Sequence, residues 1–211
     1  MPEMREITSG LQFPEGPVAL ADGSVVVVEI KRGTLTRVAP DGEQTIVAAT
    51  GGGPNGAAIG PDGSLIREAI LPLDAPNGIG LSPDGRRLYV AETWTGRVWY
   101  WELAGAGEVV AGPGFGPAGG TLLAGLPGFQ LLDSLAVDGA GNVCVATLVT
   151  GAITVISPAG EVVEQVPTGD PLTTNICFGG HGLGTAYITA SGTGRLLATA
   201  WPRPGLGLNH Q

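Results

Sequence analysis

Five side chains with oxygen donors, Glu15, Asn55, Asn77, Asp133 and Asn175, stand at or just before the start of short apolar runs. Two carboxylates and three neutral amides form an oxygen-only set, the donor chemistry of a hard divalent cation such as Ca²⁺ or Mg²⁺. A zinc site would draw on His or Cys, and this chain has only two of each, with the cysteines far apart. The spacing is unlike an EF-hand loop, so a cation site here must be assembled by tertiary structure. Each residue also has a plainer reading. Glu15 precedes Gly16-Pro17 and could be a solvated turn residue, and Asn55 and Asn77 precede glycine and could be turn formers. Asp133 could cap a turn, and Asn175 reads most readily as structural.

The elements that carry these residues repeat. An apolar strand, a tight Asp-Gly turn and a second apolar strand occur as Pro17–Leu20, Asp22-Gly23 and Ser24–Ile30, and again around Asp62-Gly63, Asp84-Gly85 and Asp138-Gly139. A looser copy runs from Asn175 to Ala190. Asp-Gly between apolar runs is a strong hairpin signal, because glycine adopts positive φ without a Cβ clash. The four turn aspartates are therefore read as hairpin chemistry and not as ligands. Third strands follow at Gly33–Val38, Gly96–Trp101, Gly151–Ile156 and Gly194–Ala198, with fourth strands after some of them. Three or four short strands per unit at about 40 residues is the signature of propeller blades.

Units begin near residues 17, 55, 77, 133 and 175, so successive starts are 38, 22, 56 and 42 residues apart. A Gly/Pro-rich loop, Ala111–Gly120, accounts for the long step. The 22-residue step is too short for a blade, so the second unit is expected to be truncated. Within this frame three features are set aside. Gly51–Gly56 is not a phosphate loop, since no Lys-Ser/Thr and no helix follow. Trp94, Trp99, Tyr100 and Trp101 are expected to pack between blades. His181 lies in a Gly-rich turn without an evident Ser or Asp partner, which argues against a catalytic triad.

The bulk properties agree with one β-rich domain over residues 1–211, with 43% hydrophobic residues, 37 Gly and 17 Pro. A net charge of −9 argues against nucleic acid and anionic membrane surfaces as partners. No apolar run approaches the ~20 residues that span a bilayer. The opening Met1–Glu6 has neither the basic segment nor the apolar core of a secretion signal, and two cysteines in apolar strands, Cys144 and Cys177, do not make a disulfide framework. A cytoplasmic location with buried thiols is the expectation.

Phe13–Pro17, Ala75–Ile79, Ala91–Arg97, Leu132–Asp138, Asn175–Gly180 with Ala186–Thr189, and Trp201–Leu206 together resemble the signatures of the SMP-30/gluconolactonase/luciferin-regenerating family. The resemblance implies a six-bladed propeller with one divalent cation in its channel, Ca²⁺ foremost with Mg²⁺, Mn²⁺ or Zn²⁺ as substitutes, and hydrolysis of lactones or related esters. It implies that Glu15, Asn77 and Asp133 bind the metal, that Asp133 is also the catalytic residue, and that Asn55 contacts substrate. The family's third-blade Ser-Pro-Asn-Asp motif has no counterpart and would fall between Ile66 and Glu68. At ~40–45 residues per blade the missing stretch is about one and a half blades. The expected fold is thus an all-β propeller of the six-bladed type reduced to about five blades, the second incomplete. Its N-terminal Arg5–Thr8 would close the ring beside Leu196–Ala200, and its incomplete blade would invite self-association. The expected function is metal-dependent hydrolysis of a sugar lactone or small ester; the alternative is a non-catalytic propeller, a ligand-binding module or an inactive remnant of such an enzyme.

Overall fold

A computed structural model describes residues 3–50, 70, 73–105, 108–110 and 112–207. After β1 (Arg5–Thr8), the first sheet runs β2 (Pro14–Ala19), β3 (Val25–Glu29), β4 (Thr34–Val38) and β5 (Gln44–Ala49). The second contains β6 (Pro76–Leu81), β7 (Arg87–Glu92), β8 (Arg97–Gly105), a short β9 (Glu108–Val109) and β10 (Thr121–Gly125). The third is β11 (Leu131–Val137), β12 (Val143–Leu148), β13 (Ala152–Ile156) and β14 (Val162–Pro167). The last is β15 (Thr173–Gly179), β16 (Thr185–Ala190) and β17 (Arg195–Ala200). Neighbouring strands pair antiparallel, and β1 adds to β17 with Arg5 opposite Ala198 and Glu6 opposite Leu197. The described residues therefore make four sheets, and the N-terminal strand completes the last of them, the pairing the family resemblance implies. The second unit of the repeat, with Asn55 and the site of the absent motif, lies outside the described residues. None of the described residues forms a helix long and apolar enough to cross a membrane.

The hairpin turns follow the Asp-Gly chemistry. Gly23, Gly85 and Gly141 take positive φ, and the Asp22 and Asp84 carboxylates each accept a backbone N–H two residues on. Asp138 does the same for Ala140 and Asn142, but it also reaches beyond its own unit, as described below.

Burial is greatest between consecutive sheets. Tyr89, Ala91 and Val98 pack against Leu135, Val145 and Ile156; Ile153 and Val155 against Ile176, Ile188 and Leu197; and Val25 and Val27 against Leu196 and Ala198. Fully burying such side chains contributes roughly 1.5–3 kcal/mol each. Among the described residues no such cluster joins the first sheet to the second. On β6, whose counterparts β2, β11 and β15 are mostly buried, Ile79 is 64% and Leu81 42% exposed. β6 thus presents an apolar side that the other inner strands do not.

Cys144 and Cys177 are free thiols, and burial pushes both up, so neither is an activated nucleophile. The tryptophans depart from expectation. Trp101 is covered by the 112–120 loop of its own unit, with its indole N–H donated to the Pro117 carbonyl, and Trp99 donates to Glu92. Trp94 is 64% exposed. Trp99 and Trp101 thus brace one sheet and its loop, whereas Tyr100 packs against the core cluster shared by the second and third sheets, as expected.

The C-terminal segment Trp201–Gly207 leaves the last sheet and crosses to the third. Leu206 N–H donates to the Val137 carbonyl, Gly139 N–H to the Pro204 carbonyl, and the Arg203 guanidinium bonds Asp138 at 2.7 Å and Glu164 at 3.2 Å. Asp138 is fully buried, so this ion pair locks the tail onto the turn after β11.

Candidate metal centre

Each inner strand breaks its pairing register beside its oxygen-bearing residue. The shifts lie between Glu15 and Val18, Pro76 and Ile79, Leu132 and Leu135, and Thr173 and Asn175. Such bulges bend a strand and re-aim a side chain, and here the same device recurs four times. Two of the entries are also strained. Phe13 and Ala75, each two residues before a site residue, have φ of 58° and 51°, held by Ile30 N–H and Thr93 N–H bonding their carbonyls. A non-glycine residue in that region costs of order 1–3 kcal/mol and persists only where its surroundings fix it.

The four described residues come together. Going round the channel the inner strands pack in the order β6, β11, β15, β2, and their side chains alternate amide, carboxylate, amide, carboxylate. Asn77 neighbours Asp133 and holds its carboxyl down, and Asn175 Nδ2 lies 3.4 Å from Glu15 Oε2. Asn77 also lies 3.5 Å from the Thr93 hydroxyl. The approach of β6 to β11 depends on glycine: a Cβ at Gly78 would sit 2.7 Å from Leu135 N and 2.8 Å from the Asp133 carbonyl oxygen. Gly78 does not take positive φ, so Asn77-Gly78 serves close strand packing and is not a turn.

Glu15 and Asp133 are both buried. Burial, with the Asp133 charge adding to it, pushes the Glu15 carboxyl up to about 8; burial pushes Asp133 up to about 6, opposed by its bonds from Asn77 and the Ser134 N–H. Other buried carboxylates of the chain are well satisfied. Glu29 accepts from Gln12 N–H, Arg32 and Thr36, and Asp170 from Leu172 N–H, Thr193 N–H and the Thr193 hydroxyl. Glu15 has longer contacts, 3.3 Å from Gly16 N and 3.4 Å from Asn175, and none of the ion pairs among the described residues involves Glu15 or Asp133. Two buried acids that repel each other, with oxygen lone pairs unspent and neutral amides beside them, fit a hard divalent cation. Among the described residues no group of three His, Cys, Asp or Glu side chains gathers to hold a metal ion, so any cation here would rely on the neutral amides as well as the two acids.

The raised pair has a direct consequence for the metal-free chain. The ordinary values are 4.5 for Glu15 and 3.8 for Asp133, so as pH rises the unfolded chain ionises first while the folded chain keeps its protons to about 8 and about 6. Folded protein then binds more protons than unfolded, and stability is lost as pH rises through that window. Carboxylates held below their usual range, such as Glu92 and Asp170, titrate beneath it and do not mask it. In EDTA the melting temperature is expected to fall between about pH 5 and pH 8, and excess Ca²⁺ to restore most of the loss. A melt that is flat or rising over this range in EDTA would contradict the buried acid pair.

Antiparallel sheets set around a channel, with acid and amide side chains at the same ends of their inner strands, define a β-propeller with a central polar site. The chain belongs to the SMP-30/gluconolactonase/LRE-like family, whose profile matches residues 59–192. It is 33% identical over 150 residues to a gluconolactonase of Zymomonas mobilis, covering 63% of this chain and 37% of that protein. It is 29% identical over 108 residues to a lactonase of Staphylococcus haemolyticus, covering 51% of this chain and 32% of that protein. The chain thus spans about a third of the length of the curated relatives it matches. The X-ray structure of a protein assigned to the gluconolactonases superposes with a TM-score of 0.74 at 19% identity, covering 98% of this chain and 94% of that one, a likeness of fold.

Proposed function

We propose that the chain is a divalent-metal-dependent hydrolase acting on a sugar lactone or related small ester. The observation that carries this reading is the pair of buried carboxylates, Glu15 and Asp133, drawn together without a cationic side chain paired to either among the described residues. The family's lactonase and gluconolactonase members support the substrate class. Glu15, Asn77 and Asp133 would hold the cation, Ca²⁺ foremost; Asn55 is assigned to substrate on the family likeness alone.

When bound, the cation supplies polarisation of the lactone carbonyl and acidification of the attacking water. Asp133 takes the proton of that water at a carboxylate oxygen, the task of a general base whose pKa is tuned toward neutrality. Asn77, the neutral amide beside Asp133, would help to orient the acceptor oxygen. Addition of water and opening of the ring then leave a hydroxy acid. A cytoplasmic location is part of the proposal, supported by the two free thiols.

A non-catalytic propeller is the alternative, and the open side of β6 favours it. Ile79 and Leu81 are exposed apolar side chains on β6, a surface that also invites self-association. A panel of small lactones, assayed with Ca²⁺, Mg²⁺, Mn²⁺ or Zn²⁺ and with EDTA, decides between the two. Turnover is expected with cation, to vanish in EDTA and to return on adding Ca²⁺. A folded protein idle with every cation would establish the non-catalytic reading.

A further inference from the structure

We propose that Asn175 is a positioning residue for Glu15, through which the last blade sets the geometry of the cation site; the inference rests on the cation reading above. Both ends of the Asn175 amide are engaged. Its Oδ1 accepts Ile176 N–H at 2.8 Å, which turns the NH₂ group toward Glu15 Oε2 at 3.4 Å. The peptide that carries Glu15 is gripped by the same blade. The Ser191 hydroxyl donates to the Pro14 carbonyl, the Thr174 hydroxyl lies 3.4 Å from the same oxygen, and Thr174 is tied in turn to Ser191 at 2.6 Å and to Thr189 at 3.0 Å. Thr174, Thr189 and Ser191 are all buried, so this hydroxyl cluster is a rigid mount.

The arrangement repeats the one at the other carboxylate. Asn77 on β6 neighbours Asp133 on β11 as Asn175 on β15 neighbours Glu15 on β2: in each pair an amide on one inner strand stands beside the acid on the next. Groups that orient a metal-binding carboxylate in this way typically contribute 10–100-fold to metal affinity. A plain packing role would require only the shape of the side chain. The positioning role requires its N–H.

Calorimetric titration of Ca²⁺ into the metal-free full chain tests the proposal without reference to turnover. Asn175→Leu is expected to weaken binding 10–100-fold, with the metal-free melting temperature near that of wild type. Asn175→Gln, which retains an amide donor, is expected to recover most of the loss. If Asn175→Leu does not fold, Asn175→Ser, too short to reach Glu15, is measured in its place, with the same weakening expected. Wild-type affinity in the leucine or serine variant would overturn the proposal, as would a loss that Asn175→Gln fails to relieve. Those outcomes leave the cation reading standing. A wild-type chain that binds no Ca²⁺ overturns both.

Discussion

Asp133→Asn is expected to lower cation-dependent lactone turnover by about 10²–10⁴-fold, the range for loss of a positioned general base. The substitution preserves shape and leaves an oxygen for the cation, but an amide cannot accept and hold the proton of the attacking water. It also removes one member of a buried pair whose like charges raise each other's cost. The metal-free variant should therefore be at least as stable as wild type at pH 8, where the wild-type chain carries most of that penalty. Loss of activity with gain of metal-free stability is the signature of a site held under electrostatic strain. The pair of measurements is kcat on the best lactone with Ca²⁺ and a thermal melt in EDTA. Retained turnover would remove Asp133 from the chemistry, and a large drop in the metal-free melt would recast it as a structural residue.

The second large effect lies away from the site. Arg203→Ala is expected to cost roughly 3 kcal/mol, because it strands the buried Asp138 carboxylate without its charged partner. Asp138 keeps the Ala140 and Asn142 donors, which holds the cost at the lower end for a broken buried pair. Arg203 also bonds Glu164, so one side chain fastens the tail at two points, and it lies over the Trp201 ring of the tail itself. For a chain of this size the expected fall in melting temperature is about 6–12 °C. Arg203→Lys should recover only part of it, since one ammonium cannot match two carboxylates in a fork. A melt unchanged in the alanine variant would mean that the tail contributes little to the folded ring.

The fold was largely legible because its strongest signals are local. Asp-Gly turns between apolar runs mark hairpins whatever surrounds them, and their recurrence implies stacked blades. The pairing of Arg5–Thr8 with the last sheet was legible only through the family resemblance. The repeat's register position singled out five residues, Glu15, Asn55, Asn77, Asp133 and Asn175, and the resemblance narrowed them to Glu15, Asn77 and Asp133 as metal ligands. What escaped depends on contacts across the ring. No residue type announces a register shift, so the four bulges that aim the site leave no pattern in the chain. Gly78 reads as turn chemistry and serves instead to admit the backbone of β11. Asn175 reads as structural because its partner, Glu15, is 160 residues away. Asp138 reads as a turn residue, and the tail that grips it arrives from the far end of the chain.

The seam between the last blade and the first has a consequence in time. Thr174, Asn175 and Ser191, which clasp Glu15, are made some 160 residues after it. Among the described residues no group upstream of residue 170 supplies that clasp, so a growing chain on the ribosome carries one acid of the pair long before it can hold it in place. Closing so long a loop is entropically costly and delays contacts of this kind. Ring closure and the birth of the site are thus one event. In a refolding experiment affinity for the ion should emerge with the last, slowest phase, after the hairpins have formed.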